Sequence, residues 1–142
     1  MSDLVDLTGR CLCGSVELSA KGAKPNVGAC HCGMCRRWTG GPFMAIDCGT
    51  EVSIGGQDLI AAYASSPWAE RGFCKKCGTH LFYRIKQSQQ YIVPVGIFGD
   101  DPAFSFGNQV FIDEKPPYYE FSNKTENMSG AEVFAKFAPK PD

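Results

Sequence analysis

No apolar run in this 142-residue chain approaches the roughly 18 residues that a membrane-crossing helix needs. The opening residues, Met1-Ser2-Asp3-Leu4-Val5-Asp6, are acidic and lack the apolar stretch of a secretory leader, so a cytoplasmic protein is expected. Positive charge is scarce and scattered: 14 Lys and Arg face 15 Asp and Glu, for a net charge of −1, and no basic stripe is visible. That balance argues against bulk binding of nucleic acid or of an acidic membrane. Repeats, linkers and low-complexity tracts are missing too, so residues 1–142 read as one domain. A domain of this size buries roughly two thirds of its surface on folding.

Strong helix signals are also few. The 16 glycines and 9 prolines cut the chain into short segments, which favours strands over long helices. Val16-Glu17-Leu18-Ser19-Ala20 alternates apolar and polar residues, as a half-buried strand does. Phe43 to Cys48, Glu51 to Ile54, Leu59 to Ala64, Thr79 to Ile85, Tyr91 to Phe98 and Gln109 to Asp113 form a plausible further set. Cys32 to Trp38 can make a helical turn. Ser129-Gly130-Ala131-Glu132 has the form of a capping box and predicts a short C-terminal helix from Ala131 to Phe137. The fold class expected is mainly β, with loops pinned by metal.

What the chain does have is cysteine. Seven of its eight fall into three groups: Cys11-Leu12-Cys13, Cys30-His31-Cys32-Gly33-Met34-Cys35 and Cys74-Lys75-Lys76-Cys77-Gly78. In a reducing cytoplasm, clustered cysteines bind metal or do chemistry and seldom form disulfides. Zn²⁺ takes thiolates in a tetrahedron, and the first and last groups supply two sulfurs each, enough for a closed structural site. The middle group offers three sulfurs within six residues and no obvious fourth ligand. Three ligands and an open position are the pattern of a catalytic zinc. Arg36 and Arg37 follow at once, where they offset thiolate charge or receive a substrate carboxylate. The alternative is a closed middle site completed by Cys48 or His31. His31, between two ligands, should point away from them and make hydrogen bonds, and Cys48 is most simply a packed thiol. His80 reads as an ordinary strand position, and Lys75 and Lys76 as the solvated tip of a metal knuckle.

These segments resemble the glutathione-dependent formaldehyde-activating enzymes, a family related to centromere protein V. The likeness rests on Gly9-Arg10-Cys11-Leu12-Cys13-Gly14-Ser15-Val16, on Cys30 to Arg37 with Thr39-Gly40, and on Arg71 to Thr79. Phe111 to Tyr119 match more loosely. The resemblance implies a β-tent fold and two zinc ions per chain. Cys11, Cys13, Cys74 and Cys77 would hold a structural ion, and Cys30, Cys32 and Cys35 a catalytic one. It also implies carbon–sulfur lyase chemistry on a small thiol–aldehyde adduct such as S-hydroxymethylglutathione.

Two readings of other classes stand beside the lyase: a non-catalytic zinc scaffold for a protein or nucleic acid, and a redox or metal sensor using exposed thiolates. The tail segment Lys115-Pro116-Pro117-Tyr118-Tyr119-Glu120-Phe121 joins rigid prolines to aromatics. Either those aromatics patch the β core, or Tyr118 or Tyr119 lines the entrance to the open zinc.

Overall fold

The computed structural model describes residues 4–137, so Met1-Ser2-Asp3 of the acidic opening segment lies outside them. The fold is mainly β, as expected, and the described chain divides into two compact units. One takes residues 4–26 and 45–105, the other residues 27–44 and 106–137.

In the first unit, β1 (Val5–Arg10), β2 (Glu17–Ala23) and β5 (Val52–Gly55) form an antiparallel sheet in the order β1-β2-β5. The alternation read near Val16 is real: Leu18 and Ala20 of β2 are buried while Glu17 and Lys21 face solvent. A meander follows. Residues Ala45–Asp47 at the end of β4 (Phe43–Asp47) pair with β9 (Gln90–Pro94), which pairs with β8 (His80–Ile85). Next come β7 (Ala69–Cys74) and β6 (Ile60–Ser66), every pairing antiparallel. Ile46, Leu81 and Val93 are fully buried along this meander.

The unit's two cysteine pairs sit at hairpin turns. Cys11-Leu12-Cys13 occupies the β1–β2 connection, where the Cys11 N–H donates to the Val16 carbonyl at 3.0 Å. Cys74 ends β7 and Cys77 lies in the β7–β8 turn, closed by Cys74 N–H to Thr79 O at 2.9 Å. Each turn then needs a left-handed residue after its last cysteine. Gly14 (φ 79°) and Gly78 (φ 77°) supply it without the backbone strain that other residues meet at positive φ.

In the second unit, β10 (Ser105–Val110) runs between β3 (Asn26–Cys30) and a parallel β11 (Glu126–Met128). Two helices complete it, α1 (Gly33–Thr39) and α2 (Gly130–Phe137). The capping box at the start of α2 is reciprocal: the Ser129 N–H donates to Glu132 Oε1 at 2.8 Å, and the Glu132 N–H to Ser129 Oγ at 3.2 Å.

Two expected strands end early. The run Tyr91 to Phe98 gives β9 only as far as Pro94, which has no N–H for a ladder, and Val95–Phe98 coil into a 3-10 turn. Gln109 to Asp113 likewise stops at Val110, because Phe111 takes a left-handed conformation (φ 54°) and opens a 3-10 turn over Ile112–Glu114. Among the described residues, no helix is long and apolar enough to cross a membrane.

Candidate metal centres

The two hairpin turns of the first unit bring Cys11, Cys13, Cys74 and Cys77 together, with all four sulfurs within 4.8 Å of one another. Cys11 Sγ and Cys13 Sγ are 3.5 Å apart, and Cys13 Sγ and Cys74 Sγ 3.8 Å. A tetrahedral ion with metal–sulfur bonds of about 2.3 Å sets its sulfurs about 3.8 Å apart, so the four fit an ion such as Zn²⁺ as they stand. Surrounding donors favour thiolate. The hydroxyl of Thr79, its N–H and the Cys13 N–H draw the Cys77 thiol down to about 5. Ser15 lowers that of Cys13 in the same way, through its hydroxyl and N–H. Thr79 Oγ1 lies 3.1 Å from Cys77 Sγ and accepts the Leu12 N–H at 3.1 Å, joining the two turns through one hydroxyl. Lys75 and Lys76 are exposed as expected. Their ammonium groups reach Asp58 O and Ser15 Oγ.

The second unit gathers Cys30, Cys32 and Cys35, again with sulfurs within 4.8 Å. Cys30 ends β3, Cys32 caps α1 and accepts the Cys35 N–H at 3.4 Å, and Cys35 is buried in the helix. Among the described residues no further Cys, His, Asp or Glu joins this group. Hydrogen bonding with the Cys32 and Cys35 thiols, together with burial and their charges, pushes the Cys30 thiol far above its usual range. Three sulfurs so placed repel one another when ionised, and a cation among them removes the penalty. Both cysteine groups could therefore hold a metal ion.

Around the three sulfurs stand residues that hold the knuckle. The Arg36 Nε donates to the His31 carbonyl at 2.8 Å, and the Gly33 N–H donates to Glu114 Oε1 at 3.1 Å. Arg37 lies over Gly33, where a Cβ would meet its Nη1 at 3.1 Å. Both arginines fall in the last turn of α1.

His31 is fully buried, with Nδ1 2.7 Å from the Tyr119 hydroxyl and Nε2 2.7 Å from Gln109 Oε1. Both ring nitrogens are thus engaged away from the sulfurs. Burial lowers the basicity of the ring, opposed by the hydrogen bond to Gln109 and reinforced by the charges of Lys115 and Arg36. Of the tail tyrosines, Tyr119 stacks on His31 at 5.5 Å while Tyr118 is 70% exposed. Lys115 ties the segment down by donating to Pro116 O and, at 2.6 Å, to Tyr119 O. Cys48 sits apart from both groups, its thiol pushed up to about 12 by burial and then by Asp47. His80 opens β8, where burial and then Arg71 lower its basicity.

Sequence reasoning missed Thr79, Gln109, Glu114 and Thr125. Their partners lie 16 to 81 residues away, except for the two-residue steps from Thr79 to Cys77 and from Thr125 to Asn127. Only the threonine directly after the Cys77-Gly78 knuckle carried a local signal. A cavity of about 400 Å³ opens beside Gln109, Lys115 and Phe121 but is lined by none of the cysteines, so it is not the metal centre.

Comparison with known proteins agrees with this geometry. An uncharacterized lyase of Schizosaccharomyces pombe is 39% identical over 126 residues, 88% of this chain and 92% of that protein. A crystal structure of a Rhodobacter sphaeroides protein shares the fold with a TM-score of 0.57 at 25% identity, covering 68% of this chain and 92% of that one. The glutathione-dependent formaldehyde-activating enzyme family matches residues 6–114, a span holding both cysteine groups. The chain belongs to the glutathione-dependent formaldehyde-activating enzyme family.

Proposed function

We propose that this protein is a zinc-dependent carbon–sulfur lyase that makes or breaks a small thiol–aldehyde adduct such as S-hydroxymethylglutathione. The observation that carries the reading is the inequality of the two cysteine groups: four sulfurs gather at one, while at the other three gather with no fourth ligand among the described residues. The family and a relative described as a lyase support the reaction class. The family match draws on residues of both units, which supports treating the chain as one functional domain.

In this reading Cys11, Cys13, Cys74 and Cys77 hold a structural zinc, and Cys30, Cys32 and Cys35 the reactive one. A zinc ion at the three-sulfur group supplies Lewis acidity and lowers the pKa of a thiol brought to it. Three thiolates and Zn²⁺ carry one net negative charge, and Arg36 and Arg37 on the same helix offset it and attract an anionic thiol. The charge they add holds a bound sulfur as thiolate. Tyr119 packs on His31 and Tyr118 is exposed; in this reading one of the two lines the entrance to the reactive zinc. The thiolates call for a reducing compartment, and the cytoplasm supplies one. The partner is a small thiol; the scattered charge offers nucleic acid no basic stripe.

Exchange of ¹³C-formaldehyde with glutathione, followed by NMR on the zinc-loaded chain, tests the reading. The protein should accelerate exchange between free formaldehyde and the adduct. Cys35→Ser should abolish the acceleration while remaining folded with about one zinc, because the closed site is intact. Exchange at the uncatalysed rate with wild-type protein would overturn the lyase reading.

A further inference from the structure

The cavity beside Gln109 lies wholly within the second unit. The end of β10, the 3-10 turn at Ile112, the loop that leads on from Lys115 and the start of β11 enclose it. Its volume of about 400 Å³ falls within the range of small-molecule sites, about 300 to 1,000 Å³. None of the seven grouped cysteines lines it.

The hydrogen-bonding groups of its wall are unequally spent. The acceptors are engaged: Asn127 Oδ1 takes the Thr125 hydroxyl at 2.6 Å, and the Thr125 oxygen takes Gln109 Nε2 at 2.9 Å. Gln109 Oε1 lies 2.7 Å from His31 Nε2. The Glu120 carboxylate pairs with the Lys115 ammonium at 3.6 Å. That ammonium also donates to Pro116 O and Tyr119 O, so little of its donor capacity is left. Donors remain over. Gln109 Nε2 keeps a second hydrogen, and Asn127 Nδ2, the Asn123 amide and the Lys124 ammonium have no partner among the described residues.

Charge points the same way. Lys115 and Glu120 offset each other, which leaves Lys124 as the uncompensated charge of the wall. Unspent N–H donors around one net positive charge suit a single carboxylate, which only accepts and carries one negative charge. Ile112 and Phe121 add apolar surface, which suits a carboxylate on a carbon frame better than a bare inorganic anion.

We propose that this cavity is a binding site for a small organic carboxylate, with Lys124 supplying the charge and Asn123 and Asn127 the accompanying N–H donors. The site is separate from the cysteine groups, and its existence does not depend on the lyase reading. Two sources carry this chemistry: a free carboxylic acid, and the glycine end of a glutathione-like thiol.

The test follows the side-chain amide signals of Asn123 and Asn127 by ¹⁵N NMR on the zinc-loaded full chain. The probes are N-acetylglycine and, at matched ionic strength, its neutral counterpart N-acetylglycinamide. A probe of this size should bind with a Kd of about 1 mM, so that titration to about 50 mM saturates the site. N-acetylglycine should move both signals along a saturating curve, and the neutral amide should bind at least about fivefold more weakly. Lys124→Gln changes an exposed residue, so the variant should stay folded. It should weaken N-acetylglycine about fivefold and leave the neutral amide unchanged. S-methylglutathione, whose sulfur is blocked, separates the sources. Movement of the same two signals with tighter binding than N-acetylglycine assigns the site to the thiol's own carboxylate, and equal or weaker binding assigns it to a free acid. Equal binding of acid and neutral amide, or unchanged affinity in Lys124→Gln, would overturn the proposal. So would the absence of saturating movement at Asn123 and Asn127, or shifts confined to Cys30–Arg37, where the carboxylate would have met the metal instead. None of these failures touches the formaldehyde-exchange test of the lyase reading.

Discussion

Cys48 shows how much one residue's surroundings decide. It is the cysteine left over when the metal groups are assembled, and it is completely buried. Its folded pKa of about 12 lies above the unfolded value of 9.0, because burial, reinforced by Asp47, penalises the thiolate. The stability that comes from keeping this thiol neutral is present in full below about pH 9. It is lost as pH rises from about 9 to 12, since the unfolded chain releases its proton first. Stability of the wild-type protein should therefore fall more steeply over that window than stability of Cys48→Ala, measured by denaturant unfolding at fixed pH steps. Parallel slopes would contradict the assigned environment. The packed-thiol reading was available from the sequence, since Cys48 ends an apolar run. The pairing of His31 with Gln109 and Tyr119 was not, because those contacts span 78 and 88 residues and carry no local spacing.

At the scale of the element, a close approach between β1 and the 3-10 turn after β9 explains a residue that periodicity cannot. Gly9 lies in β1, opposite Leu18 in β2, and looks replaceable by any strand former. A Cβ built there would stand 2.3 Å from the carbonyl oxygen of Ile97 and 2.8 Å from its carbonyl carbon, in the 3-10 turn after β9. Backbone cannot swing aside as a side chain can, so Gly9→Ala must displace β1 or the turn. The expected cost is about 2 kcal/mol or more, a fall in Tm of roughly 5–10 °C. A Tm within a degree of wild type would show that the approach relaxes freely. The same 3-10 turn is where the expected Tyr91 to Phe98 strand fails. Alternation and apolarity mark the run as strand, but the missing N–H of Pro94 ends the ladder. Strands β1, β3, β7 and β11 escaped sequence reading because glycine, alanine or charge interrupts their patterns, and their partners lie far along the chain. The two helices were legible because their signals are local: the Ser129–Glu132 capping box for one, the cysteine knuckle for the other.

For the whole molecule, the grouping of seven cysteines was the most legible feature, since thiolate spacing constrains geometry before any fold is known. The structure adds that the four-sulfur group sits at two hairpin turns of one unit and the three-sulfur group at a strand–helix junction of the other. What spacing could not supply is the surrounding frame of Thr79, Glu114, Gln109 and Thr125, set by tertiary contacts. The central claim is that the groups hold zinc unequally, four sulfurs closing one site and three leaving the other open. Zinc-edge X-ray absorption on the wild-type chain, with the metal counted in the same sample, tests it most directly. Two zinc ions sharing seven sulfurs should give an average of about 3.5 sulfurs and about 0.5 lighter donors per zinc. An average of four sulfurs at two zinc ions per chain would bring Cys48 into the second site, and a single zinc ion with four sulfurs would leave Cys30, Cys32 and Cys35 without metal; either result would contradict the account.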